Sequence, residues 1–220
     1  MAISFATPED VEVLRGELGA KLAEFDRRLT ALETGGGVGT TPTPPGPTPD
    51  PLPTPTPGRI TRQGTRLLLD GRRYKFAGMN WDQSCGCGIA GSQPTDAQAD
   101  RYFAELNPRS LTRIWVVPGM NLANYDRMVK AASKNGQYLC VTLLNGLKDC
   151  TNRPATYETP IAADIAKWVK DLVVRHTGNP TVAMFEPANE ATETHANIAA
   201  WYQAMAALIK SYDPEALVGT

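Results

Sequence analysis

The chain has 220 residues, a formal net charge of −1 and 42% hydrophobic content. A near-neutral balance gives no electrostatic case for nucleic acid or for an anionic membrane surface as a partner. No apolar run approaches the roughly 20 residues of a membrane helix, and the first residues lack the basic and apolar regions of a secretory signal.

Within the N-terminal segment 1–34, residues 7–33 predict one helix. Thr7 stands at the N-cap, Pro8 at the first helical position, and Glu9 and Asp10 in the first turn. Leu18, Leu22, Phe25, Leu29 and Leu32 follow at spacings of 4, 3, 4 and 3. That is a heptad seam, which Val11 extends and Arg15 interrupts. The seam predicts a parallel coiled-coil homo-oligomer, taken as a trimer; the alternative is a single amphipathic helix packed on the main domain. Residues 35–58, GGGVGTTPTPPGPTPDPLPTPTPG, hold nine of the 18 prolines. Glycines make a flexible joint and the Thr-Pro run favours extended polyproline II, so this segment reads as a linker. GGGVG follows no strand and opens no helix, which excludes a phosphate loop.

Residues 59–220 change character. RQGTRLLLDGRRYKFAGMN predicts a hairpin with an Asp70-Gly71 turn, running into a strand that ends near Asn80. Helical and strand patterns then alternate: helix DAQADRYFAELNP, strand LTRIWVV, helix NLANYDRMVKAASKNG, strand QYLCVTLLNG, helix IAADIAKWVKDLVVRHTGNP, strand TVAMFE, helix HANIAAWYQAMAALIKSYDP, and the start of a strand at ALVGT. The strands are apolar on both faces, as in a buried parallel sheet. The first strand leads into NWDQSCGCGIAGSQPTDAQ, with no G-x-G-x-x-G, so a Rossmann sheet is disfavoured. Polar residues gather instead where strands end: Asn80, Arg113, Asn145 and Asn189-Glu190. That distribution suits the C-terminal face of a TIM-type (β/α)8 barrel. Such a barrel takes about 200–250 residues, so the expectation is its N-terminal half, about strands one to five.

FEPANE, residues 185–190, resembles the W/F-E-x-x-N-E motif of clan A glycoside hydrolases. GTRLLLDGRRYKFAGMN, TRIWVV, VTLLNG and DPEALVGT are similar to family 5, especially its β-mannanase branch. The resemblance covers residues 59–220. It implies retaining cleavage of a β-linked polysaccharide, with Glu190 as general acid/base and Asn189 on the sugar 2-hydroxyl. It also implies that Arg113 supports a nucleophile, which the family carries as a Glu at the end of its seventh strand. Retaining chemistry sets the two carboxyls about 5–5.5 Å apart. Glu186 lies four residues before Glu190, about 13 Å along a strand, so it reads as an interior residue bonded to its neighbours. On this reading the chain carries half of a catalytic pair. The other half is expected beyond residue 220, unless the domain is a non-catalytic structural or glycan-binding protein.

Asn80 and Trp81 are candidates for lining a sugar subsite, Trp81 being equally suited to the core. Asn145 falls where the family branch has a polar residue, and His195 follows the motif or simply starts the next helix. His176 reads as structural. Cys150 is a candidate disulfide partner for Cys85 or Cys87, and Cys140 reads as a buried thiol. The cysteine spacing matches no zinc pattern, so neither metal nor cofactor is expected. The helix, spacer and glycosidase-like domain together resemble tail-associated phage proteins. That implies a virion or extracellular location, with other virion tail proteins and a polysaccharide as partners.

Overall fold

A computed structural model describes residues 58–86, 93–147, 151–191 and 196–219. The chain divides into two units, Met1–Asp50 and Pro51–Thr220, and all described residues belong to the second. The coiled coil expected over 1–34 and the linker expected over 35–58, Gly58 apart, lie outside the described residues. So do Cys87, Cys150 and His195. Among the described residues no helix is long and apolar enough to cross a membrane.

The unit opens with a three-stranded antiparallel sheet: β1 (Ile60–Gln63), β2 (Arg66–Leu69) and β3 (Arg72–Arg73). The turn between β2 and β3 holds Asp70 at φ 53° and Gly71 at φ 74°. Two successive left-handed residues match the right-handed twist of the flanking strands, which is why Asp-Gly works there. The expected single hairpin is therefore two, the first turning at Gly64, also left-handed at φ 58°.

A five-stranded, wholly parallel sheet follows in chain order: β4 (Asn80–Trp81), β5 (Leu111–Trp115), β6 (Tyr138–Thr142), β7 (Val182–Glu186) and β8 (Leu217–Val218). Between them run α1 (Asp96–Glu105), α2 (Leu122–Lys134), α3 (Ala163–Arg175) and α4 (Ile198–Tyr212). Thr95 and Gln98 form a reciprocal capping box at the start of α1. Asn121 caps α2 by accepting from the Ala123 N–H, and Gly136 follows its end at φ 63°. Each helix buries a stripe at three- and four-residue spacing, such as Trp201, Met205 and Ile209 on α4.

Two apolar layers result. The larger lies between sheet and helices and includes Phe103, Ile114, Met128, Val141, Leu172, Phe185 and Trp201. The smaller covers the other face of the sheet near its N-terminal end, where Leu111, Tyr138, Cys140 and Ala183 meet Ile60, Leu69 and Tyr74 of the hairpins. Tyr138 OH donates to the Gly58 carbonyl at 3.0 Å, and Tyr74 OH to the Arg109 carbonyl at 2.6 Å. The antiparallel sheet thus plugs the end of the parallel sheet where its strands begin.

Two expectations need correction. The first parallel strand is only Asn80–Trp81, although Leu111 N–H reaches the Ala77 carbonyl and Arg113 N–H the Met79 carbonyl. A Cβ on Gly78 would lie 1.8 Å from the Leu111 carbonyl oxygen, so the chains approach there more closely than side-chain-bearing strands allow. Cys85 is a free, buried thiol, so a Cys85–Cys150 disulfide is not formed. Burial pushes the thiols of Cys85 and Cys140 up to about 12, and Cys140 is buried as expected.

Candidate active site

Successive residues of a strand face opposite sides of the sheet. On β5 this puts Arg113 and Trp115 on the face away from the helices, with the Arg113 guanidinium 5.4 Å from the Trp115 ring centroid. Asn80 pairs in register with Arg113, and Thr142 with Glu186, so these side chains share that face.

Arg113 is the hub. Its Nε donates to Glu186 Oε2 at 2.8 Å and its Nη2 lies 2.6 Å from the same oxygen. Nη1 donates to Asn80 Oδ1 and Nη2 to Asn189 Oδ1, both at 2.9 Å. Thr142 Oγ1 donates to Glu186 Oε2 at 2.5 Å. Glu186 stands two strands from Arg113, a gap of about 10 Å in a flat sheet. One guanidinium touching β4, β7 and the residues after β7 fits a sheet curled around this face. The side chains of Arg113 and Glu186 are 25% and 18% exposed. They therefore sit at the boundary of the interior, where a pair held by several hydrogen bonds tolerates partial desolvation.

Beyond the strand ends the ladder continues as a parallel bridge between Asn145 and Asn189. Asn189 N–H donates to the Leu144 carbonyl and Gly146 N–H to the Asn189 carbonyl. Asn189 Nδ2 donates to Asn145 Oδ1 at 3.0 Å, so its oxygen takes Arg113 and its nitrogen takes Asn145. Both asparagines are buried. Their amides are fixed in orientation, because a flip would set donor against donor, at Arg113 for Asn189 and at Asn189 Nδ2 for Asn145.

Glu190 comes next and is exposed, with a left-handed backbone at φ 45°. Such a φ is rare for a side-chain-bearing residue and recurs at functional sites. Among the described residues its carboxylate makes no ion pair. Its carbonyl lies against Gly146: a Cβ there would be 2.2 Å from Glu190 O and 2.6 Å from Tyr157 OH.

Of the candidates drawn from the sequence, Asn80, Arg113, Asn145 and Asn189 are joined in one network with Glu190 beside it. Trp81 is not part of it. Its ring packs 4.0 Å from that of Tyr102 and 6.2 Å from that of Phe103, both on α1. It occupies the helix-facing side, opposite to Asn80, as the core alternative for this residue has it. Sequence reasoning missed Thr142, Gly146 and Trp115. Trp115 was recoverable from its i, i+2 spacing to Arg113; Gly146 carried no signal, because its constraint comes from a carbonyl 44 residues away.

The model of the cellulase family, glycosyl hydrolase family 5, matches residues 110–219, half of the chain. The chain belongs to glycosyl hydrolase family 5. The matched region runs from just before β5 to the end of β8 and contains every member of the network except Asn80. No curated protein sequence matches this chain. Solved structures similar to this family 5 chain include the endo-β-1,4-mannanase of Thermotoga petrophila. It has a TM-score of 0.53 and 19% identity over 69% of this chain and 43% of that one. The endo-1,4-β-mannanase of Eisenia fetida gives 0.53 and 16% over 73% of this chain and 60% of that one. A family 5 glycoside hydrolase from Bacteroides vulgatus gives 0.53 and 15% over 75% and 40%. At these identities the likeness shows the fold: the curled parallel sheet and its helices are part of the (β/α) barrel of family 5. The chain spans less than two thirds of the length of each of these relatives.

Proposed function

We propose that this domain is the acid/base-bearing part of a retaining glycoside hydrolase acting on a β-linked polysaccharide. What supports the reading is the arrangement after β7. A buried asparagine, held at both ends of its amide, directly precedes an exposed glutamate at the C-terminal mouth of a curled parallel sheet. Active sites of such barrels are built on that face. A general acid must reach the departing glycosidic oxygen, and a carboxyl fixed by its backbone but uncommitted in its side chain is free to do so. Glu190 would protonate that oxygen and later deprotonate the attacking water. Asn189 would meet the sugar 2-hydroxyl, with Asn145 and Arg113 setting its orientation. Asn80 would lie at the rim of the subsite, and His195 just beyond the motif. The second carboxyl of a retaining pair belongs, by family resemblance, to the seventh barrel strand, which is not among β4–β8.

The helix and spacer before residue 59 suit an attachment arm. We read the protein as a virion tail or extracellular component that presents the hydrolase to a surface glycan, oligomerised through residues 1–34 and contacting other tail proteins. The test of function is release of reducing ends from β-mannan, cellulose and mixed cell-wall glycan by the full protein. Cleavage of at least one, with loss in Glu190→Gln, supports the reading. Activity that survives in Glu190→Gln would show that another residue donates the proton.

A further inference from the structure

The face opposite the mouth carries an open cleft of about 500 Å³, within the size range of small-ligand sites. Asp70, Arg72, Arg73, Tyr74, Lys75 and Arg109 line it. They come from the β2–β3 turn, from β3 and from the loop before β5, all at the end where the parallel strands begin.

Three features set this cleft apart from ordinary charged surface. First, its cations are uncommitted: Arg72, Arg73, Lys75 and Arg109 make no ion pair among the described residues. Five of the helix cations, Arg101, Arg127, Lys134, Lys167 and Arg175, each hold a carboxylate instead. Second, the one acid is turned aside. A Cβ on Gly58 would lie 2.1 Å from Asp70 Oδ1, so that carboxylate rests against the segment leading into β1. Third, Arg109 is held in place: its backbone is left-handed at φ 61° and its carbonyl takes the Tyr74 hydroxyl. In a chain of net charge −1, a walled cluster of three guanidinium groups and an ammonium is a strong local attractor for anions. The guanidinium fork matches a carboxylate bidentately. Beside it, Phe76 stacks on Tyr74 at 5.5 Å and is 49% exposed, leaving an aromatic face for the apolar side of a sugar ring.

We propose that this cleft is an accessory binding site for a carboxylate-bearing polysaccharide. It would hold the domain on an acidic glycan while the mouth stays open to the substrate chain. The proposal rests on the glycan-degrading reading only for the nature of the polymer.

The experiment is affinity electrophoresis of the full chain through gels containing polygalacturonate or neutral galactomannan, at low and high salt. It reads binding and not turnover, so it can fail while hydrolysis stands, or succeed where hydrolysis is absent. Polygalacturonate should retard the protein, and salt should relieve the retardation. The dissociation constant should rise at least about tenfold in Arg72→Ser/Arg73→Ser and in Arg109→Ser, and stay unchanged in Glu190→Gln. Arg62→Ser/Arg66→Ser removes equal charge from the same hairpins outside the cleft and should bind like the parent. Absence of retardation, or an equal loss in the Arg62/Arg66 variant, would overturn the site. Polyphosphate that displaces the protein as well as free polygalacturonate does would overturn its assignment to a glycan.

Discussion

Arg113 orders the mouth because it meets three acceptors on three different segments. Its guanidinium fork makes this possible, and a lysine ammonium has neither the reach nor the fixed donor geometry. Arg113→Met should lower stability in urea by about 2–3 kcal/mol, since it strands a partly buried Glu186. Adding Glu186→Gln should recover part of that loss, and the double-mutant cycle should report about 1–3 kcal/mol of coupling. Gly146 is the second point of control. Any side chain there meets the Glu190 backbone as well as the Tyr157 hydroxyl, and the backbone cannot step aside as a side-chain tip can. Gly146→Ala should therefore shift the carboxyl and reduce kcat about a hundredfold, with far-UV circular dichroism unchanged. The sequence announced Glu190, Asn189 and Arg113 through a motif and through polar residues at strand ends. It could not announce which face Trp81 takes, because that depends on whether the strand's phase sets residue 80 or residue 81 inward.

The parallel strands and helices followed their patterns closely, since long periodic segments with caps leave little freedom. The helical stretches opening at Asp96 and Asn121 start where the structure places the Thr95–Gln98 capping box and the Asn121 cap, whose hydrogen bonds are local. The short β4 was not readable, because the closeness of Gly78 to the Leu111 carbonyl is a tertiary fact. One contact between elements responds to pH. Asp126 on α2 receives a two-pronged ion pair from Arg175 and a contact from His176 Nε2 at 2.9 Å. Arg175 holds the Asp126 carboxyl below its ordinary 3.8. Burial outweighs the carboxylate and holds His176 below its ordinary 6.5. The unfolded chain then binds the histidine proton more readily than the folded one. This contribution to stability is complete above about 6.5 and shrinks as pH falls below it. A further loss, from Asp126, begins below about 3.8. Thermal melts of His176→Gln should show a shallower decline between pH 7 and pH 5 than the parent; an identical decline would show that the histidine does not couple to folding.

At the size of the whole protein, a family 5 barrel portion follows an arm whose sequence reads as a heptad helix and a proline-rich spacer. Family membership and the curled parallel sheet account for where the site lies. The arm is the ground on which we propose a virion or extracellular surface for the protein. Light scattering should give a trimeric mass for the full chain and a monomeric mass once residues 1–34 are removed; a monomer in both cases would remove the attachment argument. Catalysis at the mouth turns on the proton that Glu190 is proposed to give. A dinitrophenolate leaving group departs without a proton, whereas a sugar leaving group needs one. The decisive measurement compares the parent with Glu190→Gln on a β-linked oligosaccharide and on the matching dinitrophenyl glycoside. A loss of about 10²–10⁴-fold on the oligosaccharide, with the dinitrophenyl glycoside cleaved nearly as before at the glycosylation step, is the predicted result. Equal losses on both substrates, or none on either, would contradict it.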